Sequence, residues 1–309
     1  MRIRNIGRGS GFRFLLYKIY RQTKRKFERN SQTEFQERIF KRWKIFWRDA
    51  TDLHLIEEKL DRQHSMETWK NIENWQRRLE NKYNAKQFAL KFGCSVAKLY
   101  WHGKKEDFEN LDINNLPENY IIKPLFGESS KNVYLMKNGC NLFDSKEYTP
   151  KSLRNEINGL FDSQDDLEII IEEFIPNENG DFVIPDDYKF YCFNGRILFL
   201  QVNKRKGINK DRITFYSEDW KFIKRKILDE KAASVKKIDL PPVCFKEMVQ
   251  DVKKLSEVYG LFVRIDFYAT AKGPVFGEFT ATPRRGKHFT RYGSRKLIKM
   301  WDQHCNGLI

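Results

Sequence analysis

Two strand-like segments joined by a short turn constrain this 309-residue chain more than any other feature. They cover residues 261–268 and 274–282, and the three-residue turn 271–273, which ends in Gly, is a common hairpin connection. A register centred on that turn places Asp266 directly opposite Glu278. Two opposed carboxylates destabilise a hairpin, whereas a divalent cation between them reverses that penalty, and Mg²⁺ favours such oxygen ligands. The hairpin therefore predicts a metal site, with a solvated sheet face as the alternative.

The same hairpin and a neighbouring strand carry cations that suit phosphate or carboxylate chemistry. In the predicted register Arg264 lies opposite Thr280 and beside the acid pair, where its fork of donors suits an acyl phosphate or a substrate carboxylate. Lys189 lies inside an aromatic strand, Tyr188–Tyr191. A lysine in such a strand either extends to solvent or meets an anion such as a terminal phosphate. Arg264 and Lys189 are therefore the candidate catalytic cations.

A strand followed by a small-residue turn is the candidate phosphate-binding segment. Lys123 ends the strand and opens a turn before the next strand begins at Val133. Such a loop folds over phosphates with its backbone N–H groups while a lysine supplies charge. One Gly and two Ser also make an ordinary turn, so both interpretations stay open. The turn residues concerned are Gly127, Ser129 and Ser130.

Another apolar strand, residues 167–174, is the candidate adenine-binding wall. It carries Glu172 and Glu173 near its end, followed by Phe174 and Ile175. An apolar strand end of this kind holds a base through backbone groups, or it is simply a strand of the core.

Turn and helix signals elsewhere indicate antiparallel hairpins mixed with helices. Asn194-Gly195 between two strand-like runs is a strong signal for a two-residue turn. Apolar residues at helical spacing predict a helix over 245–259, and Gly260 ends it. Together these elements predict an α+β architecture.

Basic residues are concentrated at the N-terminus. Residues 1–50 hold 15 Lys and Arg against 4 Asp and Glu, which accounts for most of the formal net charge of +16. A helical stripe within this region consists of Ile39, Phe40, Trp43, Phe46 and Trp47. It predicts either a helical layer of the fold or a basic amphipathic element on an anionic membrane or an acidic polymer. No helix-turn-helix, zinc or RNA-binding signature supports a nucleic-acid partner.

Cysteine spacing and hydropathy favour a cytoplasmic protein. The five cysteines are scattered, without the spacing of a zinc site or a disulfide framework, which predicts free thiols in a reducing compartment. No run of eighteen apolar residues occurs, and the basic start lacks the apolar core of a signal peptide. Peripheral contact at the inner membrane face through residues 1–50 is compatible with the charge distribution.

Several segments, taken in order, resemble the ATP-grasp superfamily, and in particular its TupA-like group, named for teichuronopeptide biosynthesis. The segments are Lys82; Lys123 with its loop; Ile171-Glu-Glu-Phe-Ile175; Asp187 through Gly195; Arg264-Ile-Asp-Phe267; and Gly277 through Pro283. The resemblance covers about residues 80–295. We therefore predict a basic helical N-terminal region over 1–80 and an ATP-grasp domain over 81–309.

The resemblance implies an α+β ATP-grasp fold, in which two subdomains clamp ATP, with a basic helical N-terminal extension. Asp266 and Glu278 would hold Mg²⁺, and Thr280 stands where many superfamily members place an asparagine ligand. Arg264 and Lys189 would act in catalysis, Lys189 on the γ-phosphate side. The residues implied to contact ATP are Lys82, Lys123, Gly127, Ser129, Ser130, Glu172, Glu173, Phe174, Ile175 and Lys189.

The implied chemistry is phosphorylation of a carboxylate by ATP, followed by attack of an amine on the acyl phosphate. The branch name suggests an acidic, uronic-acid-rich cell-surface glycan or lipid-linked glycan as acceptor and an amino acid or amine as co-substrate. Two alternatives stay open: an ATP-dependent kinase of a glycan hydroxyl, and a basic membrane- or nucleic-acid-binding adaptor with an inactive ATP-grasp domain. The roles of Arg284, Arg285 and His288 also stay open, with binding of the acceptor's carboxylate among them.

Overall fold

The computed structural model describes residues 30–125, 132–160, 168–205, 211–229 and 238–305. Residues 1–29 and the predicted phosphate-loop residues Gly127, Ser129 and Ser130 lie outside these ranges. The helices are α1 (Ser31–Trp43), α2 (Leu53–Glu57), α3 (Met66–Trp69), α4 (Lys82–Lys91), α5 (Lys105–Glu109), α6 (Pro150–Leu160), α7 (Phe245–Tyr259) and α8 (Arg291–His304). Short segments of other helix types cover Lys44–Arg48, Trp75–Glu80, Ile113–Asn115 and Pro283–Gly286.

Two six-stranded sheets form the framework. The strands are β1 (Ser95–Val96), β2 (Leu99–Lys104), β3 (Asn119–Pro124), β4 (Tyr134–Lys137), β5 (Cys140–Asn141), β6 (Lys146–Glu147), β7 (Glu168–Glu173), β8 (Asp187–Phe193), β9 (Arg196–Arg205), β10 (Asp211–Tyr216), β11 (Phe262–Thr270) and β12 (Gly273–Thr280). Sheet A has the order β1-β12-β11-β8-β9-β10, and sheet B has the order β2-β7-β3-β4-β5-β6. Among these strands β1 and β12 pair in parallel, and the other pairs are antiparallel. The predicted α+β architecture is confirmed.

Two glycines with positive φ end secondary-structure elements of the sheet A region at the positions that the sequence predicts. Asn194 and Gly195 both adopt positive φ, 45° and 79°, which is the two-residue turn that joins β8 to β9. Helix α7 has the predicted bounds and ends at Gly260, whose φ is 77°. Its buried face packs on sheet A and contributes Met248, Val252, Leu255 and Tyr259 to the largest apolar core.

The β11–β12 hairpin has the predicted partners but a different turn. The confirmed pairs are Asp266 with Glu278 and Arg264 with Thr280. The predicted three-residue loop is wrong, because Thr270 pairs with Gly273 and only two residues lie between them. A β-bulge between Asp266 and Phe267 compensates for the missing loop residue and restores the register at the acid pair.

Gly277 is the extra residue of this bulge. Phe276 pairs with Phe267 and Glu278 pairs with Asp266, so Gly277 has no partner residue on β11. A Cβ at Gly277 would lie 3.0 Å from a ring carbon of Tyr268 and 3.1 Å from the Asp266 carbonyl oxygen. A glycine therefore allows the two strands to approach at this point.

Helix α1 is part of the folded core rather than an exposed amphipathic helix. Phe35 and Ile39 are fully buried against the second face of sheet A and helix α8, while Phe40 is 43% exposed. The stripe predicted around Ile39 and Phe46 therefore packs mainly inward, which corresponds to the helical-layer interpretation. Within the described residues, no helix combines the length and apolar character that a membrane span requires.

A buried arginine connects α1 to the hairpin. Arg42 Nη1 donates to the carbonyl oxygens of Phe262 (2.6 Å) and Ala281 (3.2 Å), and its guanidinium lies 4.4 Å from the Trp301 ring centroid. Burial lowers the pKa of Arg42 to about 10. The N-terminal helix thus contacts the first residue of β11 and the residue that follows β12, at the end of the hairpin that carries the acid pair.

Sheet B has its own core and leaves a cleft between itself and sheet A. Helices α5 and α6 cover one face with Phe108, Leu153 and Ile157. The opposite face turns toward the polar part of sheet A. The two sheets and the start of α4 line a cavity of about 440 Å³.

Candidate active site

One wall of the cleft is a group of charged side chains on sheet A, which we call the acid-pair cluster: Lys189, Arg264, Asp266 and Glu278. Arg264 donates through Nε to Asp266 Oδ1 (2.7 Å) and through Nη2 to Asp266 Oδ2 (2.8 Å) and Glu278 Oε1 (2.8 Å). Lys189 Nζ donates to Asp266 Oδ2 at 2.5 Å. One guanidinium thus bridges the two predicted metal ligands, and each cation of the cluster contacts Asp266.

Neighbouring opposite charges stabilise the ionised forms of Asp266 and Lys189. Burial, which favours a neutral carboxyl, is outweighed at Asp266 by Arg264 and Lys189, so the pKa of Asp266 lies below its usual value. At Lys189 burial is outweighed by Asp187 and Asp266, so the pKa of Lys189 lies above its usual value. The Glu278 side chain is 42% exposed, and its exposed part faces the cleft. Burial within the cleft, together with the charge of Asp266, raises the pKa of Glu278.

The opposite wall carries a second group, which we call the lysine cluster: Lys82, Lys86, Lys123 and Glu172. The Glu172 carboxylate accepts hydrogen bonds from Lys86 at Oε2 and from Lys123 at Oε1. Glu172 is 4% exposed, Lys86 8% and Lys123 17%. Two ammonium groups therefore share one buried carboxylate.

The lysine cluster holds more positive charge than its carboxylate balances. Burial and the charge of Lys82 lower the pKa of Lys123 to about 7. Burial, with the charges of Lys123 and Lys82, also holds the pKa of Lys86 well below its usual value. Burial lowers the pKa of Lys82 as well. Ammonium groups crowded in this way gain from a bound anion such as a phosphate group.

Lys82 lies where α4 approaches the strand end of β3. Its Nζ donates to the carbonyl oxygens of Pro124 and Leu125, each at 3.1 Å. Asn81 caps the helix and accepts from the N–H groups of Tyr83 and Asn84, which places Lys82 at the first position of α4. The structure therefore brings Lys82 and Lys123, the two lysines predicted to contact phosphates, together at one edge of the cleft.

The predicted adenine-binding residues divide between two environments. Glu172, Phe174 and Ile175 line the cleft at the end of β7. Glu173 does not line it, because its side chain lies on the other face of the strand and accepts from the N–H of Lys98. The apolar side chains Phe174 and Ile175 suit a base, whereas Glu172 is occupied by the two lysines.

Sequence reasoning about the site missed two cleft residues, Lys86 and Asp187. Lys86 follows Lys82 by four residues, and this i, i+4 spacing on one helix face is the signal that could have identified it. Asp187 lines the cleft and lies 3.5 Å from Lys189 Nζ. Arg284, whose role the sequence left open, also lines the cleft, and it lies on a loop whose conformation no sequence pattern indicated.

The acid-pair cluster fits a Mg²⁺ ion. Asp266 and Glu278 share the Arg264 Nη2 group, and Thr280 Oγ1 donates to Glu278 Oε1 at 3.4 Å, so hard oxygen donors converge on one side of the hairpin. Within the described ranges no group of three or more His, Cys, Asp and Glu side chains forms a complete metal site. Mg²⁺ characteristically takes one or two carboxylates and completes its shell with water and phosphate oxygens, which matches this pair.

Comparison with known proteins identifies one family. Residues 59–297 match the family described as TupA-like ATPgrasp. No curated protein sequence matches the chain. The family match covers both sheets, the acid-pair cluster and the lysine cluster.

Solved structures that resemble this chain include two D-alanine–D-alanine ligases and a macrocyclase. The Bacillus anthracis ligase complexed with ATP has 14% identity and a TM-score of 0.47, with 74% of this chain and 66% of that chain covered. The Helicobacter pylori ligase has 20% identity and a TM-score of 0.46, with 75% and 61% covered. Macrocyclase MdnC bound with precursor peptide MdnA, from Microcystis aeruginosa MRC, has 13% identity and a TM-score of 0.41, with 73% and 61% covered. This chain thus spans less than two thirds of each, and similarity at this level says nothing about substrate or reaction.

Proposed function

This chain belongs to the TupA-like ATP-grasp family, and we propose that it is a ligase that joins a carboxylate to an amine with ATP and Mg²⁺. ATP-grasp enzymes use these two cofactors. The supporting observation is the pair of oppositely biased clusters that face each other across one cavity. Carboxylates on sheet A suit the metal, and the lysines of α4 and β3 around Glu172 suit the phosphates.

In the proposed reaction a carboxylate oxygen of the acceptor bonds to the γ-phosphorus as the bond to ADP breaks. The amine then attacks the acyl carbon, phosphate leaves and the amine loses a proton. Mg²⁺, when bound, neutralises charge on the phosphate oxygens. Most of the protein's contribution is positioning and electrostatic stabilisation by groups that are already in place.

The residues of the two clusters have separate roles in this proposal. Lys82 and Lys123 bind phosphate oxygens, and Lys86 keeps Glu172 oriented toward Lys123. Asp266 and Glu278 hold the metal, and Arg264 sets the distance between them. Lys189 lies beside Asp266 and approaches the transferred phosphoryl group.

We further propose an acidic, uronic-acid-containing glycan or lipid-linked glycan as the acceptor and an amino acid or amine as the co-substrate. The family's name supports this substrate class, and the basic residues 1–50 are compatible with an acidic polymer or an anionic membrane surface at the cytoplasmic face. Nucleic acid is not part of the proposal.

The test is a product analysis. Purified protein is incubated with Mg·ATP and uronic-acid oligosaccharides, with and without an amino-acid mixture, and products are read by mass spectrometry beside ADP release. ADP that forms only with an amine, together with an amide-sized mass gain, supports the ligase. A phosphate-sized gain without any amine identifies a kinase instead.

The control is the isosteric double variant Asp266→Asn/Glu278→Gln, paired with Asp219→Asn, whose carboxylate is 75% exposed and outside the cleft. The double variant should lose ADP release, and Asp219→Asn should retain it. Equal activity in the double variant and the wild type would refute the metal site.

A further inference from the structure

A loop with three left-handed residues follows β12 and forms one border of the cleft. Arg284, Arg285 and His288 have φ values of 53°, 49° and 65°. Residues with side chains rarely adopt this conformation, and they keep it only where their surroundings determine it. The loop is therefore held in place by contacts outside its own sequence.

Helix α1 supplies these contacts. Gly286 packs so closely on it that a Cβ would lie 2.7 Å from Gln36 Cα and 3.1 Å from Ile39 Cβ. The guanidinium of Arg285 lies 5.3 Å from the Trp43 ring centroid. Both contacts involve residues that precede the family match, which begins at residue 59.

The consequence is that two consecutive arginines point in different directions. Arg285 is exposed and lies over α1, whereas Arg284 is partly buried and lines the cleft. Arg284 borders the same cavity as Thr282 and Glu278, at the end of the hairpin that carries the acid pair. The loop thus adds a guanidinium to the sheet A side of the cleft.

This guanidinium differs from the other cleft cations in its setting. Arg264 donates three hydrogen bonds to Asp266 and Glu278. The lysines of the lysine cluster lie on the opposite wall, around Glu172. Arg284 lines the cleft at the end of the hairpin, on the loop that follows β12, and a guanidinium binds a carboxylate through two parallel hydrogen bonds.

We propose that Arg284 binds a uronic-acid carboxylate of the acceptor and that α1 positions it by holding the loop. The inference rests on the proposed ligase function, because that function brings a carboxylate-bearing acceptor to this cleft. Arg284 is the binding residue, and Gly286 and Arg285 are positioning residues. A helix outside the family match thereby contributes to acceptor specificity.

The test measures binding without turnover. Calorimetric titration of Mg·ADP into the full chain comes first, and tetragalacturonate is then titrated into the Mg·ADP-loaded protein. Arg284→Gln should weaken tetragalacturonate binding at least tenfold and change Mg·ADP affinity less than threefold. Lys287→Gln, which removes an equal charge from an exposed position of the same loop, should leave both affinities within threefold. The methyl ester of tetragalacturonate lacks the carboxylates, so it should bind neither the wild-type protein nor any of the variants.

A second variant tests the positioning role. Gly286→Ala cannot keep the present loop conformation, because its φ is 72° and the Cβ would contact the α1 backbone. It should weaken tetragalacturonate binding as Arg284→Gln does, with Mg·ADP affinity retained. Arg284→Lys should restore only part of the affinity, since it keeps the charge without the fork.

The outcomes separate this inference from the function on which it rests. Wild-type protein that does not bind Mg·ADP would refute the proposed function, and this inference with it. Protein that binds Mg·ADP but not tetragalacturonate would overturn the inference and leave the nucleotide site intact. Equal tetragalacturonate affinity in Arg284→Gln and wild type would overturn it as well.

Discussion

The two charged clusters of the cleft are built alike but balanced differently. In each, a buried carboxylate lies between two cations: Asp266 between Arg264 and Lys189, and Glu172 between Lys86 and Lys123. Sheet A adds further acids, Glu278 and Asp187, so its cations are fully compensated. On the other wall, helix α4 adds a further lysine, Lys82, whose charge lowers the pKa of Lys123.

The difference appears in the lysine pKa values. The pKa of Lys189 lies above its usual range because Asp187 and Asp266 outweigh burial, while burial and neighbouring lysines lower those of Lys86 and Lys123. The surplus charge of a buried cluster therefore indicates its ligand. A surplus of carboxylate suits a metal cation, and a surplus of ammonium suits phosphate.

The largest expected effect is that of Asp266→Asn. It leaves Arg264 and Lys189 without their main partner, so we expect a loss of about 3–5 kcal/mol in the free energy of unfolding. ADP release in the ligase assay should also fall by about 10³-fold. Urea denaturation and the mass-spectrometric assay measure the two effects. If Asp266→Asn is as stable as Asp219→Asn, the acid-pair cluster is not the compensated unit described above.

Lys123→Met should separate binding from stability on the other wall. Loss of one charged phosphate contact should weaken Mg·ADP binding by about 10- to 100-fold, since such hydrogen bonds contribute about 1.5–3 kcal/mol. The free energy of unfolding should not decrease, because Glu172 keeps Lys86 as a partner and the cost of burying the Lys123 ammonium is removed. Calorimetry and urea denaturation test both parts. The matched control is Lys246→Met, an exposed position on α7. A marked loss of stability in Lys123→Met alone would show that both clusters are balanced alike.

The pH dependence of nucleotide binding should follow Lys123. With its pKa near 7, the ammonium that binds phosphate is lost as the pH rises above 7, so Mg·ADP affinity should decrease by up to about tenfold per pH unit. The stability contribution has the opposite sign. Between about pH 7 and 10.5 the unfolded state binds more protons at this group, so unfolding becomes less favourable as the pH rises. Calorimetry from pH 6 to 9 should show the decrease in wild type and not in Lys123→Met; identical slopes would contradict the assignment.

The smallest effect is expected from Thr280→Val. It removes the 3.4 Å hydrogen bond to Glu278 and keeps the side-chain volume. We expect the Mg²⁺ concentration for half-maximal ADP release to rise by about two- to fivefold, as for loss of a weak neutral donor. Mg²⁺-free ADP binding, which depends on the lysine cluster, should not change. If Mg²⁺-free ADP binding changes and the Mg²⁺ requirement does not, Thr280 acts in phosphate binding rather than at the metal site.

Local signals predicted the parts of the fold that depend on neighbouring residues. The Asn194-Gly195 turn and the Gly260 helix end need positive φ, which these residues adopt at low cost. The family match confirms the predicted ATP-grasp fold. The Asp266–Glu278 pair was also predicted, although from the wrong turn, because the bulge cancels the error of one residue. The roles of the individual site residues remain predictions.

Features that depend on distant contacts could not be predicted from the sequence. The segment Ser95–Trp101 reads as one strand, yet its ends belong to different sheets. Arg42 reads as a solvated cation, and its burial follows only from the carbonyl groups of Phe262 and Ala281, over two hundred residues away. The left-handed loop at Arg284 depends on α1 in the same way. Tertiary packing decides each of these cases.

The extra residue in β12 has a consequence for variation in chain length. If Gly277 were deleted, Phe276 would still pair with Phe267 and Glu278 with Asp266, because Gly277 has no partner residue on β11. A deletion here would straighten the strand without exchanging its two faces, whereas the insertion or deletion of one residue between Gly273 and Phe276 would shift the register at Glu278 toward the apolar face. Evolution can therefore change the length of this strand at one position and keep its acid pair.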